Sequence, residues 1–181
     1  MPIGCCSLVP MIATEFGIRK PASVLDLGIG MGFYGAVVRQ WCDMGVRPWR
    51  TRLVGVEAWE GYCNPCWDLY DEVVIEPVLS FFEWSSDVWH SILLLDVVEH
   101  FEKDEGFAVL AAARKRLAET GLLYVGTPAV WMDQGDAHGN EFERHRSLWT
   151  VADFTRLGFS ILHDGHLDPH GNQMILAGFA M

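Results

Sequence analysis

The sequence predicts an α/β domain, a doubly wound and mostly parallel sheet with helices on both faces. Three observations predict it. Apolar strand-like runs alternate with segments of helical apolar spacing along all 181 residues, the pattern of βαβ units. The stretch "WHSILLLDVVEH" (89–100) is apolar almost throughout, as a central parallel strand covered on both faces must be. The glycine-rich turn "DLGIGMGFYG" (26–35) follows a strand and opens a helix, the place where sheets of this kind bind ligands. The length suits one domain over residues 1–181, with no internal repeat, low-complexity tract or linker.

The elements follow in order. Residues 8–17, "LVPMIATEFG", predict a short leading helix ended by Gly17. "ASVLDLG" (22–28) is a buried strand. "GFYGAVVRQWCDMG" (32–45) has apolar residues at helical spacing and stops at Gly45. "TRLVGVEA" (51–58) and "YDEVVIEP" (70–77) are the second and third strands, the latter closed by Pro77. The fourth is the 89–100 run. "EKDEGFAVLAAARKRLAE" (102–119) is a helix with acids early and bases late, matching the helix dipole. "GLLYVGTP" (121–128) is the fifth strand. Residues 128–147 are polar and irregular. "TVADFTRLG" (150–158) is a helix with a capping-box-like pair, Thr150 and Asp153. "FSILHDG" and "NQMILAGFA" close the chain as two adjacent strands.

Composition narrows the function classes. Half of the residues are apolar, which argues against global disorder. The net charge of −11, from 24 acids and 13 bases, disfavours a general nucleic-acid binder. No run approaches 18 apolar residues, so no membrane span is expected. The first 20 residues lack a basic stretch ahead of an apolar run, so no signal peptide is expected. The expectation is a cytoplasmic protein. Cys5, Cys6, Cys42, Cys63 and Cys66 make an odd count, which suggests free thiols. "CNPC" (63–66) has the spacing of a redox pair or half a zinc site. A structural zinc site needs four ligands, and Cys5-Cys6 is adjacent rather than spaced.

The loop after the first strand reads two ways. Gly30-x-Gly32-x-x-Gly35 fits the fingerprint of a dinucleotide site. Asp26-Leu27-Gly28-x-Gly30-x-Gly32 fits the acidic loop of S-adenosylmethionine enzymes. Both use glycines for close backbone approach and a helix N-terminus beyond. Asp26 discriminates: a carboxylate there suits a cationic ligand such as the amino group of S-adenosylmethionine and is awkward beside a pyrophosphate. It can equally be a strand-end Asp bonded to the loop. Glu57 ends the second strand and can accept both ribose hydroxyls in either class. A dehydrogenase would also need a second mononucleotide half, which is not evident here.

At this point the chain resembles the class I S-adenosylmethionine-dependent methyltransferases, specifically a subgroup of short bacterial small-molecule members. The likeness covers nearly all of it. "VLDLGIGMGFYGAVVRQW" looks like the first motif of that family, "GVEAWEGY" like its acidic second-strand motif, and "SILLLDVVEHFEKDEG" like its fourth-strand motif with the D-x-x-E-H ending. "GNEFERHRSLWTVADFTRLGF" resembles the segment after strand five. The resemblance implies a Rossmann-like sheet of seven strands, order 3-2-1-4-5-7-6 with strand seven antiparallel, and S-adenosylmethionine across the tips of strands one, two and four. It implies Asp26, Gly28, Ile29, Gly30 and Gly32 on the methionine and ribose side, Glu57 and Ala58 at the ribose, and Asp96 and Val97 near the sulfonium. Many relatives have an Asp after strand three for adenine. Here the register reads "IEPVLSF", so either Glu76 substitutes or the backbone around Val78 and Leu79 makes the contact.

Methyl transfer needs a positioned nucleophile and a place for its proton, and His is the usual base near neutral pH. The candidates are His100, after strand four, and His138 and His145 in the long irregular segment. Each also has an ordinary structural role open to it. Asp96, Glu99, His100, Asp133, Asp136, His138 and Glu141 offer oxygen and nitrogen ligands, and "HLDPH" (166–170) is a turn with two histidines. No pair shows diagnostic metal spacing, so no metal ligand is assigned. Trp131, Met132 and Trp149 flank the long segment as pocket wall or, more ordinarily, as packing. The expected partner is a small-molecule acceptor methylated at a hydroxyl oxygen, with no nucleic acid or membrane. Monomer and homodimer both stay open. The other readings are a nicotinamide-dinucleotide oxidoreductase and a non-catalytic module that binds S-adenosylmethionine.

Overall fold

A computed structural model describes residues 6–137, 139–166 and 173–181. Its sheet has seven strands in the order β3-β2-β1-β4-β5-β7-β6. These are β1 (Ser23–Leu27), β2 (Arg52–Glu57), β3 (Glu72–Ile75), β4 (Trp89–Leu95), β5 (Leu117–Pro128), β6 (Ser160–His166) and β7 (Gln173–Ala180). The first five pair in parallel, and β7 lies antiparallel between β5 and β6. The expected order and the antiparallel last strand are both present.

Strand alternation divides the core in two. Ile92 and Leu94 of β4 face one cluster with Leu25, Val54 and Phe81. Leu93 and Leu95 face the other with Val24, Leu53 and Ile12. Helices α3 (Val78–Trp84), α4 (Lys103–Arg114) and α5 (Val151–Arg156) supply the first cluster, and α1 (Val9–Arg19) and α2 (Phe33–Cys42) the second. The α5 capping box is formed: Thr150 and Asp153 exchange side-chain and backbone hydrogen bonds. No helix among the described residues is long and apolar enough to cross a membrane.

Two boundaries differ from the sequence expectation. Helix α1 runs through Gly17 and ends at Lys20, which takes a left-handed φ of 45° and donates its N–H to Phe16 O at 2.9 Å. A Cβ on Gly17 would stand 3.3 Å from Trp41 of α2. The glycine serves the helix crossing, not the helix end. Helix α4 stops at Arg114, and "LAE" (117–119) opens β5 instead. Trp89 N donates to Arg116 O and Trp89 pairs with Leu117, so contact with β4 overrides a locally helical pattern.

Beneath the opposite end of α2, Arg39 is almost fully buried. Its guanidinium donates to Asp43, Asp71 and the carbonyls of Thr51 and Leu69, and Trp49 lies 3.9 Å from it, ring centroid to Cζ. The buried Asp43 also accepts N–H groups from Arg50 and Thr51. This network fastens α2 to the entries of β2 and β3, away from the cavity described next.

Candidate active site

A cavity of about 670 Å³ opens at the carboxyl ends of the parallel strands, within the usual range for small-ligand sites. Of the residues expected on the cofactor side, Gly28 and Gly30, after β1, line it, as do Glu57 and Ala58 at the tip of β2. Val78 at the start of α3 and Asp96 and Val97 after β4 complete that wall. Pro77 and Leu79 are in it as well, whereas Glu76 turns away and accepts the exposed Trp84 indole N–H at 2.8 Å.

Glu57 organises this corner. One carboxylate oxygen accepts Gly30 N–H at 2.8 Å and the other accepts Trp59 N–H at 2.9 Å. Gly28 and Ile29 donate backward to Val56 O, and the Trp67 indole donates to Gly30 O at 2.8 Å. The glycine loop is thus tied to β2 from both sides. Burial pushes the Glu57 pKa up against these donors. Gly28 has a left-handed φ of 70°, and a Cβ there would come within 2.5 Å of Val97, so the closeness of the β1 and β4 tips requires glycine. Asp96 also has a left-handed φ, 63°, uncommon outside glycine and a backbone strain of the kind found at ligand sites.

Asp26, Ile29 and Gly32 are not part of the cavity wall. Asp26 is buried behind the loop and accepts the Tyr70 hydroxyl at 2.6 Å. Ile29 packs into the α1/α2 core, and Gly32 is the residue before α2, close against Trp67 and Cys66. One oxygen of the Asp26 carboxylate is thereby tied to Tyr70, just ahead of β3. Desolvation, with Glu57 nearby, raises its pKa from 3.8 to about 7 in spite of the Tyr70 hydrogen bond. The folded state therefore holds a proton that the unfolded chain has released. The stability from this group is fully present below pH 3.8 and is lost as pH rises through about 7. An Asp26→Asn variant keeps an acceptor for Tyr70 and cannot titrate. Urea unfolding at pH 5 and pH 8 should show the wild type losing more stability than the variant across that interval; parallel losses would contradict the raised pKa.

The second half of the cavity is built by the segment between β5 and α5. Arg146 and Ser147 donate their N–H groups to Glu99 O, at 2.8 and 3.0 Å. Tyr62 donates its hydroxyl to Glu143 and receives Asn140 Nδ2 at 3.1 Å. Gln134 Nε2 reaches Glu143 O. Met132, Asn140, Glu143 and Arg146 thereby join the wall. The sequence reading singled out the segment as a whole but not Tyr62, Asn140 or Glu143. Met174 of β7 also lines the cavity and carried no sequence signal.

Two of the three histidine candidates meet here. His100 and His145 line the cavity with ring centroids 4.9 Å apart. His100 Nδ1 lies 3.2 Å from Arg144 O and His145 Nδ1 2.9 Å from Met132 O. A carbonyl only accepts, so both Nδ1 atoms carry hydrogen, and in a neutral ring so held the lone pair lies on Nε2. Burial, then the neighbouring His145, lowers the His100 pKa and favours this neutral form. His138 lies outside the described residues, as does nearly all of the "HLDPH" turn. Glu99 is buried, and neither of its carboxylate oxygens has a hydrogen-bond partner among the described residues. Burial and the adjacent Asp96 drive its pKa well above the carboxylate range.

Of the remaining candidates, Trp149 is a core residue, stacked on Phe154 and fully buried. Trp131 is half-exposed. Cys42, Cys63 and Cys66 form no disulfide among the described residues, and Cys63 stands at the surface.

No protein-family model matches the chain, and no curated protein matches it by sequence. Solved structures do match by shape. The 1,6-didemethyltoxoflavin-N1-methyltransferase of Burkholderia thailandensis, solved with its substrate and S-adenosylhomocysteine, aligns over 97% of this chain and 78% of its own, at 18% identity and a TM-score of 0.70. An S-adenosylmethionine-dependent methyltransferase of Archaeoglobus fulgidus aligns over 96% and 94%, at 12% identity and 0.65. The N-methyltransferase NodS of Bradyrhizobium japonicum aligns over 94% of each chain, at 14% identity and 0.60. Strand order, antiparallel β7 and these alignments agree: the chain has the fold of the class I S-adenosylmethionine-dependent methyltransferases.

Proposed function

We propose that the chain transfers a methyl group from S-adenosylmethionine to a small-molecule acceptor, at a hydroxyl oxygen. The observation that carries this reading is one cavity lined both by the glycine loop with Glu57 and by His100 with His145. The first group suits an adenosine ligand, the second an acceptor. Glu57 keeps unused lone pairs beyond its two backbone donors, enough to receive ribose hydroxyls. Gly28 and Gly30 take the methionine side, Pro77 to Leu79 the adenine, and Asp96 and Val97 the sulfonium. Asp26 supports the loop through Tyr70 without touching the ligand.

Transfer is an in-line displacement at the methyl carbon. The acceptor oxygen forms the new bond as the carbon–sulfur bond breaks, and S-adenosylhomocysteine leaves neutral. The acceptor's proton goes to an Nε2 lone pair of the histidine pair. The imidazoles are held by backbone carbonyls, so their lone pairs are oriented before the acceptor arrives. The neighbours' own names support small-molecule chemistry: one methylates a toxoflavin precursor at nitrogen, and another, which this chain spans for about half its length, is a mitomycin 7-O-methyltransferase.

The test is a pair of calorimetric titrations of the purified protein, with S-adenosylhomocysteine and with NADH. Micromolar binding of the first and none of the second is expected. Binding of NADH alone would return the glycine loop to the dinucleotide reading. Binding of S-adenosylhomocysteine with no methylation in a broad acceptor screen would leave a non-catalytic module.

A further inference from the structure

We propose that Glu99, His100 and His145 bind a divalent transition-metal ion of the zinc or iron(II) kind. One carboxylate oxygen and one nitrogen of each imidazole lie within 4.8 Å of one another. The three come from two separate places in the chain, the short 3₁₀ turn Val98–His100 after β4 and the segment before α5. They are brought together by the Arg146 and Ser147 N–H bonds to Glu99 O.

Two independent features point to a cation. The first is the state of the imidazoles. Each gives its Nδ1–H to a backbone carbonyl, the arrangement by which a metal-binding histidine is fixed in tautomer and angle. Each therefore offers Nε2 as an electron-pair donor. The second is Glu99 itself. Its side chain is 2% exposed, and both oxygens lack a donor among the described residues, a costly state for a buried carboxyl. Two imidazoles and a buried carboxyl without a geometric hydrogen-bond partner thus stand together. Asp96 lines the same cavity and adds its negative charge to both Glu99 and His100. Arg146, the one Lys or Arg among the described lining residues, already gives its guanidinium to the carbonyls of His100, Arg144 and Glu141.

Donor chemistry selects the ion. Two imidazoles and one carboxylate suit zinc, iron(II), cobalt or nickel and leave coordination positions open, whereas magnesium and calcium prefer all-oxygen shells. Metal–ligand bonds of about 2.0–2.2 Å require the donors to draw in by about an ångström, a movement that χ rotations of a Glu and two His supply. Sequence spacing could not reveal the site, because the two histidines share no local motif. With an ion present, His100 and His145 are ligands and not bases. Such an ion would leave coordination positions open to an acceptor hydroxyl and would lower its pKa, so that the proton could pass to solvent water in the open cavity. That last consequence rests on the methyltransferase reading; metal binding does not.

The test uses tag-free full-length protein stripped with a chelator, titrated calorimetrically with Zn²⁺, Co²⁺ and Mg²⁺ without methyl donor or acceptor. One equivalent of Zn²⁺ should bind at micromolar affinity or tighter, with no Mg²⁺ binding. His145→Ala should weaken binding by more than about 100-fold, beyond the roughly 10–100-fold that outer-shell partners control. The Co²⁺ complex should show d–d bands without a thiolate charge-transfer band. Because Glu99→Gln alters a buried group and can impair folding, the partly buried His145 is the deciding variant. Absence of stoichiometric binding, unchanged affinity in His145→Ala, or a thiolate band that vanishes in Cys63→Ser would each overturn the proposal, the last by moving the ion to the Cys63–Cys66 pair. S-adenosylhomocysteine binding without metal binding would sink this site and spare the methyltransferase reading; metal binding without S-adenosylhomocysteine would do the reverse.

Discussion

A Glu57→Ala variant should bind S-adenosylhomocysteine about 10- to 100-fold more weakly than the wild type in calorimetry. Two effects combine. The carboxylate that would receive the ribose hydroxyls is gone, and a hydrogen bond to a charged group contributes about 1.5–3 kcal/mol, a factor of ten for each 1.4 kcal/mol. The loop also loses its tie, since Gly30 and Trp59 no longer donate to a common acceptor. Glu57→Gln separates the two. Its amide oxygen can still accept one of the backbone N–H groups, so it should fall between wild type and Ala. Both variants should be compared at matched melting temperatures. Affinity within twofold of the wild type in Glu57→Ala would show that the ribose is held elsewhere.

An Arg39→Ala variant should lose about 3–5 kcal/mol of stability in urea unfolding. Removing one partner of a buried ion pair leaves the other charge uncompensated, and this is the usual size of the penalty. Asp43 has no exposed side-chain surface. Burial tends to raise its pKa, and Arg39 with the N–H groups of Thr51 and Arg50 outweighs that and lowers it. The Thr51 and Leu69 carbonyls would lose their donors at the same time. Against a typical domain stability of about 5–15 kcal/mol, this is the largest single effect expected outside the cavity. A loss under about 1 kcal/mol would mean that the network behaves as a surface ion pair. The network is remote from the cavity wall, so S-adenosylhomocysteine affinity of the folded fraction should be kept.

Much of this molecule could be read from the chain alone, and the exceptions share a cause. The strands were legible because parallel strands buried on both faces are apolar runs, and β4 is the extreme case. The glycine loop and Glu57 were legible because strand ends in this fold fall at fixed places relative to their own sequence. The start of β5 was not, because "LAE" (117–119) is helical by pattern and extended through the pairing of Leu117 with Trp89. The work of Asp26 was hidden for the same reason. Its carboxylate faces Tyr70, 44 residues further on, and nothing local distinguishes that from a carboxylate facing a ligand. The His100–His145 pair likewise depends on the segment before α5 folding back onto Glu99 O. Spacing rules test neighbours in sequence, and these contacts are neighbours only in space.

The antiparallel β7 has a consequence for how the chain is made. It enters between β5 and β6, both of which leave the ribosome before it. Until it arrives, β5 presents an open edge of unpaired N–H and C=O groups along "LLYVGT", and β6 has no place in the sheet. An edge so apolar invites pairing with another nascent copy. Closure of the sheet therefore waits on β7, however early the glycine loop and the first strands have formed.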